Sequence, residues 1–177
     1  MSDDAAENAA ADTDAVDRII GQWHREMPEL ELDSMALFGR IHRISQKLGA
    51  RLHKLRSEKG LGRNEFDVLA TIRRSGEPYT LSPKEISAAM MLSSGGLTGR
   101  LDKLEAAGFV ERLPDPGDRR GIKVRMTPLG REVIEDSVRI GIAAQNEALS
   151  PLTAKERDQL GALLRKLHAG FEDQPFD

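Results

Sequence analysis

Apolar residues recur every three or four positions along most of the chain, which is the spacing of one face of an α-helix. Six stretches follow this rule, and their first apolar residues are Val16, Leu37, Phe66, Leu97, Val133 and Leu160. The stripe that starts at Leu37 continues to Leu55, long enough for a helix that acts as the spine of the fold. The pattern predicts a mainly α-helical chain.

Helix start signals precede several of these stretches. Residues 82–85 and 153–156 read Ser-Pro-Lys-Glu and Thr-Ala-Lys-Glu, which place a hydroxyl three residues before a glutamate as in a capping box. Thr127 with Pro128 begins another helix, and Asp33 or Ser34 can cap the long one. The helix at 16–23 ends before a proline and is too short to be stable alone, so it must pack on something.

A helix and a hairpin are predicted for the middle of the chain. Gly108 follows the stripe of the helix at 97–107, where a left-handed glycine ends the helix and turns Phe109 back onto Leu104. Short strands at 109–113 and 122–127 follow, joined by a Pro- and Gly-rich turn with Arg119 and Arg120 at its tip. The second strand alternates inward and outward residues, in the order Ile122, Lys123, Val124, Arg125 and Met126. The predicted fold is mainly α with a small β-hairpin, a winged helix-turn-helix between N- and C-terminal helices.

Three segments of this region resemble the MarR-type winged-helix transcriptional regulators. Residues 104–112, 115–120 and 126–130 read Leu-Glu-Ala-Ala-Gly-Phe-Val-Glu-Arg, Asp-Pro-Gly-Asp-Arg-Arg and Met-Thr-Pro-Leu-Gly. The resemblance implies that the helix enters the DNA major groove, that Arg120 enters the minor groove and that Asp118 braces the wing. The predicted DNA contacts are Ser94, Thr98, Arg100, Lys103, Arg119, Arg120 and Lys123.

Two alternatives stay open. Because glycine costs about 1 kcal/mol in a helix interior, Gly95, Gly96 and Gly99 mean either that the helix begins near Leu97 or that it stays loose until DNA orders it. A winged helix can also bind a protein partner without reading DNA. Such a module has no need of four cations on one hairpin, whereas a DNA reader does. The four are Arg119, Arg120, Lys123 and Arg125.

Residues 22–26, 33–35 and 39–41 resemble one branch of the family, which has an added N-terminal helix and includes urate-responsive and trans-aconitate methyltransferase regulators. The resemblance implies a ligand site at Trp23, Asp33 and Arg40. This trio suits a small anionic or aromatic ligand: urate, a citrate- or aconitate-like acid, or an aromatic acid. Ile41 stands where urate-responsive members carry a polar residue, which disfavours urate. In the structural alternative, Trp23 extends an apolar stripe, Asp33 caps the long helix and Arg40 pairs with that cap.

The helices at 13–57 and 128–173 carry apolar faces that the winged helix-turn-helix at 62–127 does not need. A two-fold homodimer would bury them and hold two reading heads roughly 34–36 Å apart on a palindromic double-stranded DNA operator. An intramolecular bundle is the alternative, and the resemblance favours the dimer. We predict one domain at 13–177, preceded by an acidic disordered tail at 1–12.

Charge and composition limit the function further. The net charge is −3, but residues 1–33 hold ten acidic and two basic residues, a net charge of −8, so residues 34–177, with 24 basic and 19 acidic residues, carry +5. Such a local excess of positive charge suits DNA phosphates.

The absence of cysteine excludes thiolate sites. Because the sequence contains no catalytic, cofactor-binding or metal-binding motif, no cofactor, metal or enzyme activity is predicted. The chain shows no signal peptide or membrane span, which predicts a cytoplasmic protein.

Overall fold

The computed structural model describes residues 13–90 and 96–173. The predicted tail at 1–12 and the predicted DNA contact Ser94 lie outside the described residues. The chain divides into two compact units, which we call the N-terminal and C-terminal units, with the boundary between Ala50 and Arg51. The prediction that residues 13–177 form one domain stays a prediction.

The elements of the N-terminal unit are α1 (Ala15–Glu26) and most of α2 (Asp33–Ser57). Asp14 caps α1: its carboxylate accepts hydrogen bonds from the backbone N–H groups of Val16 and Asp17, at 2.7 and 2.9 Å. Val16 is only 4% exposed, because it packs on Gly39 of α2. A Cβ at Gly39 would lie 3.2 Å from a Val16 methyl carbon, so the glycine allows a close approach of the two helices.

The C-terminal unit begins within α2. Its further elements are α3 (Arg63–Arg74), β1 (Thr80–Leu81), α4 (Pro83–Ala89), α5 (Leu97–Ala106), β2 (Val110–Asp115), β3 (Asp118–Met126), α6 (Pro128–Ala148) and α7 (Ala154–Asp173). The predicted caps of α4, α6 and α7 are confirmed, whereas Asp33 and Ser34, the predicted caps of the long helix, lie inside α2. Ser82 and Glu85 form the capping box of α4. The Thr127 hydroxyl accepts from the N–H of Gly130 at 3.0 Å at the start of α6.

The strands form one antiparallel sheet in the order β1-β3-β2. The predicted hairpin is confirmed as the β2–β3 hairpin, although its strands are longer than predicted. The sequence pattern does not predict β1, whose two residues Thr80 and Leu81 pair with Arg125 and Val124. The fold class, mainly α with a small β-hairpin, is confirmed, and one short strand is added to it.

The core of the C-terminal unit lies between the sheet and α3 to α6. Its largest fully buried side chains are Leu61, Val68, Leu69, Ile72, Ile86, Leu104, Val124 and Ile134. A close backbone contact joins the hairpin to α6. The Thr127 hydroxyl donates to the carbonyl of Gly108 at 2.7 Å, and a Cβ on Gly130 would collide with the carbonyl oxygen of Phe109. Only glycine therefore fits at position 130.

Helices α2 and α7 differ from the helices of this core because several large apolar residues of their stripes are exposed. No residue of α2 is buried, and Leu37 and Ile44 are each 64% exposed. The exposed apolar residues of α7 are Leu160, Leu163, Leu164, Leu167 and Phe171. Within residues 13–90 and 96–173, no helix is both long enough and apolar enough to cross a membrane.

Candidate nucleic-acid interface

Helix α5 is anchored on one side and presents polar side chains on the others. Its buried leucines are Leu97, Leu101 and Leu104. Thr98 and Lys103 are exposed, and Arg100 is partly exposed. Gly96 has a left-handed conformation, with φ +79°, immediately before the helix. The helix therefore begins at Leu97, which confirms the first of the two alternatives.

The end of α5 determines where the hairpin begins. As predicted, Gly108 is left-handed, with φ +73°, and Phe109 turns into the core. From β2, Arg112 reaches back to α5, where it binds Asp102 at 2.6 Å and also Glu105. Hydrogen bonding, to Asp102 first, raises the pKa of Arg112. The sequence pattern does not predict this clamp, because the spacing of residues on either side of a helix end does not set which of them pair.

The tip of the hairpin is a two-residue turn, Pro-Gly at 116–117. The Asp115 carboxylate accepts a hydrogen bond from the N–H of the turn glycine at 2.9 Å, and Asp115 pairs with Asp118 across the turn. Asp118 is exposed at the start of β3. The predicted long turn with Arg119 and Arg120 at its tip is therefore wrong. The backbone of both arginines lies in β3, because the Asp115 side chain closes the turn before them.

Two basic residues of the hairpin are held by carboxylates of the chain itself. Lys123 Nζ lies 3.1 Å from Glu85 Oε2 and 3.8 Å from Asp115 Oδ2. Arg125 Nε donates to Glu111 Oε1 at 2.7 Å. The hydrogen bond to Glu85 is the largest cause of the raised pKa of Lys123, and Glu111 raises the pKa of Arg125. Part of the positive charge of the hairpin is thus balanced internally.

The predicted contacts on α5 lie beside acidic residues of α3. Lys103 Nζ is 3.5 Å from Glu65 Oε1, but the lysine side chain is 76% exposed, so this pair is weak. Burial raises the pKa of Asp67, and the field of three arginines, one of them Arg100, opposes the shift. Thr98, Arg100 and Lys103 remain accessible to a partner.

The three predicted ligand residues have different surroundings. Trp23 is 43% exposed, and Asp33, the first residue of α2, is exposed. Arg40 donates to Asp14 at 2.9 Å and to Asp17 at 2.5 Å, and hydrogen bonding, to Asp17 first, raises the pKa of Arg40. Arg40 therefore does pair with a helix cap, but the cap belongs to α1 and is not Asp33.

A cleft of about 240 Å³ adjoins this ion pair. Its lining residues are Asp14, Ala15, Val16, Arg40, Arg43, Ile44 and Lys47. The cleft contains Arg40 but neither Trp23 nor Asp33. Asp14 is not among the predicted site residues, although its three-residue spacing from Asp17 is a capping signal. In the part of the chain that the structure describes, no group of three or more His, Asp or Glu residues could hold a metal ion.

The chain is similar in sequence and in structure to known transcriptional regulators. A sequence profile of the MarR family matches residues 59–121. The HTH-type transcriptional regulator PecS of Dickeya dadantii is 38% identical over 152 residues, which cover 86% of this chain and 92% of PecS. A mutant MarR from Escherichia coli, solved in complex with operator DNA, has a TM-score of 0.62 at 31% identity and covers 82% of this chain and 96% of that one. Bordetella bronchiseptica BpsR, whose DNA binding is regulated by 6-hydroxynicotinic acid, has a TM-score of 0.62 at 25% identity and covers 73% and 91%.

Proposed function

The chain belongs to the MarR family of transcriptional regulators, and from that premise we propose that it is a DNA-binding repressor, released from its operator by a small anionic ligand. The main support for DNA binding is helix α5, which is anchored in the core and leaves Thr98, Arg100 and Lys103 accessible. The β2–β3 hairpin, which contains Arg120, follows it directly. Such a helix reads base edges in the major groove while an arginine suits the neighbouring minor groove. The protein would act on DNA in the cytoplasm.

The proposal includes a homodimer. In proteins, most of the stability of a helix comes from packing of its apolar face, yet α7 exposes five large apolar residues and α2 exposes Leu37 and Ile44. A two-fold dimer that covers such faces would present two copies of α5 to a palindromic operator. Their separation would be one DNA turn, roughly 34–36 Å.

The ligand is proposed to bind at Trp23, Asp33 and Arg40. A citrate- or aconitate-like acid, an aromatic acid or urate provides the negative charge that suits a guanidinium. Because Arg40 is already paired with Asp14 and Asp17, an anionic ligand must compete with two carboxylates. Ligand binding would thereby favour one arrangement of α1 over another, and only such a preference can change DNA affinity.

The proposed function is tested by DNA titration. A palindromic operator is first selected from random DNA, and its binding to the protein is then measured by fluorescence anisotropy. Wild-type protein should bind with an affinity that falls steeply with salt. Arg120→Ala should weaken binding about tenfold, the cost of one groove contact. Arg125→Ala is the matched control, because that arginine of the same strand binds Glu111 and is not a predicted DNA contact, and it should weaken binding less.

Equal affinities of wild type and Arg120→Ala would overturn the assignment of the wing contact. Wild-type protein that shows no salt-dependent binding to DNA or heparin would instead favour the protein-interaction module. This distinction is tested at Arg120, the hairpin residue to which the resemblance assigns the minor groove.

A further inference from the structure

One carboxylate oxygen serves two elements of the C-terminal unit. Glu85 Oε2 accepts from the backbone N–H of Ser82 at 2.6 Å, which caps α4. The same oxygen accepts from Lys123 Nζ of β3 at 3.1 Å. Hydrogen bonds, from Ser82 first and then Lys123, lower the pKa of Glu85 to about 2, so the carboxylate is ionised at neutral pH. The acceptor for Lys123 is thus fixed on α4.

On the hairpin side, the same lysine reaches toward the tip. Lys123 Nζ lies 3.8 Å from one carboxylate oxygen of Asp115, and the other oxygen accepts from Gly117 to close the turn. The Lys123 side chain is 27% exposed, against 76% for Lys103 on α5. Lys123 therefore links the cap of α4 to the turn of the hairpin, and two carboxylates already balance its charge.

We propose that Glu85 and Lys123 form a latch that sets the position of the β2–β3 hairpin against helices α4 and α5. Lys123 is then a positioning residue and not a phosphate contact. The inference rests on the proposed DNA binding, in which α5 and Arg120 enter neighbouring grooves together. Lys123 is three residues from Arg120, about 10 Å along an extended strand, so a shift of the hairpin at the lysine also moves the arginine.

A latch and a phosphate contact give opposite results for Glu85. If Lys123 bound a phosphate, Glu85→Gln would free the lysine and strengthen DNA binding, and Lys123→Met would reduce the salt slope by about one. With a latch, either substitution weakens binding by up to about fivefold, the range of an exposed ion pair. The salt slope stays unchanged, and the double variant binds no more weakly than the single variants, because the latch is broken only once.

The experiment is a double-mutant cycle in the full chain, with operator affinity measured by anisotropy at several salt concentrations. Hydroxyl-radical footprinting adds a readout of position: latch variants should lose protection where the hairpin meets the minor groove and keep it over the α5 site. Lys123→Arg should restore the operator affinity and the minor-groove protection that Lys123→Met loses. The control cycle uses Glu111→Gln and Arg125→Met, an ion pair of the same hairpin that joins its two strands and not a helix. This control should show no coupling in DNA affinity.

The latch is overturned by additive losses in the Glu85–Lys123 cycle, by tighter binding of Glu85→Gln, or by equal coupling in the control cycle. Because Glu85 also caps α4, circular dichroism is used to compare the folding of each variant with that of wild type. Lys123→Met leaves the cap intact and decides the question through its salt slope and footprint if Glu85→Gln does not fold. Wild-type protein that binds no operator defeats the proposed function itself, which distinguishes that failure from failure of the latch.

Discussion

Ile72 and Leu163 occupy the same kind of position, an aliphatic residue on the apolar stripe of a helix, but their surroundings differ. Ile72 in α3 is fully buried, whereas Leu163 in α7 is 65% exposed. Helix α3 packs against α4, α5 and α6 of its own unit. The large apolar residues of the α7 stripe are 39–65% exposed. A stripe thus predicts which face of a helix needs cover, and it does not identify the chain that supplies the cover.

The largest effect is expected in the core. Ile72→Ala should lower the free energy of unfolding by about 2–5 kcal/mol, because it leaves a cavity. Chemical denaturation, followed by circular dichroism at concentrations low enough to dissociate a dimer, measures the change. Under the same conditions Leu163→Ala should alter the value by less than about 0.5 kcal/mol, as at other surface sites. Equal losses at both positions would show that α7 is covered within its own chain.

Subunit association should depend on Leu163, the exposed residue of this comparison. Leu163→Glu should raise the dimer dissociation constant at least tenfold, since burying one leucine contributes about 1.5–3 kcal/mol. Sedimentation equilibrium gives this constant directly. Arg165→Glu is the control, because two positions along an α-helix correspond to a rotation of about 200° and place it on the opposite face. Wild-type protein that is monomeric at micromolar concentration would contradict the proposed homodimer.

Two glycines should respond to alanine with opposite signs. Gly130→Ala should destabilise the protein by about 1–3 kcal/mol, because its Cβ would meet the backbone of Phe109. At Gly49 in α2 an added Cβ has open space around it, so Gly49→Ala should stabilise the helix by about 0.5–1 kcal/mol. Thermal unfolding of the two variants measures both effects. A loss at Gly49 would mean that a second chain packs closely there.

The parts of the fold that depend on local chemistry were accessible from the sequence. Gly108 ends α5, Ser82 caps α4 and Thr127 caps α6, because each of these effects acts within a few residues. The start of α5 at Leu97 was one of two alternatives, and the sequence alone did not distinguish them. The free-energy cost of placing Gly95 and Gly96 in a helix disfavours a helix that begins before Leu97 but does not exclude one.

The contacts between distant residues were not accessible. The outward side of its strand predicts a DNA contact for Lys123, but its partner Glu85 is 38 residues away. Arg40 finds Asp14 across 26 residues. Alternation and helical spacing state which side of an element faces solvent, and they contain no information about an acidic residue that another element brings to the same place. The predicted hairpin tip at Arg119 and Arg120 is wrong because the Asp115 side chain closes the turn at residues 116–117.

A chimeric regulator that combines this winged helix with the terminal helices of a relative would have to respect the contact between Phe109 and Gly130. The bounds of β3 and α6 suggest an exchange point at residue 127. An exchange there would take Phe109 from one parent and the residue at 130 from the other, and any parent without glycine at that position would force the two backbones apart. A workable exchange point lies inside α6, beyond its first turn, so that the winged helix keeps the beginning of the next helix as its own.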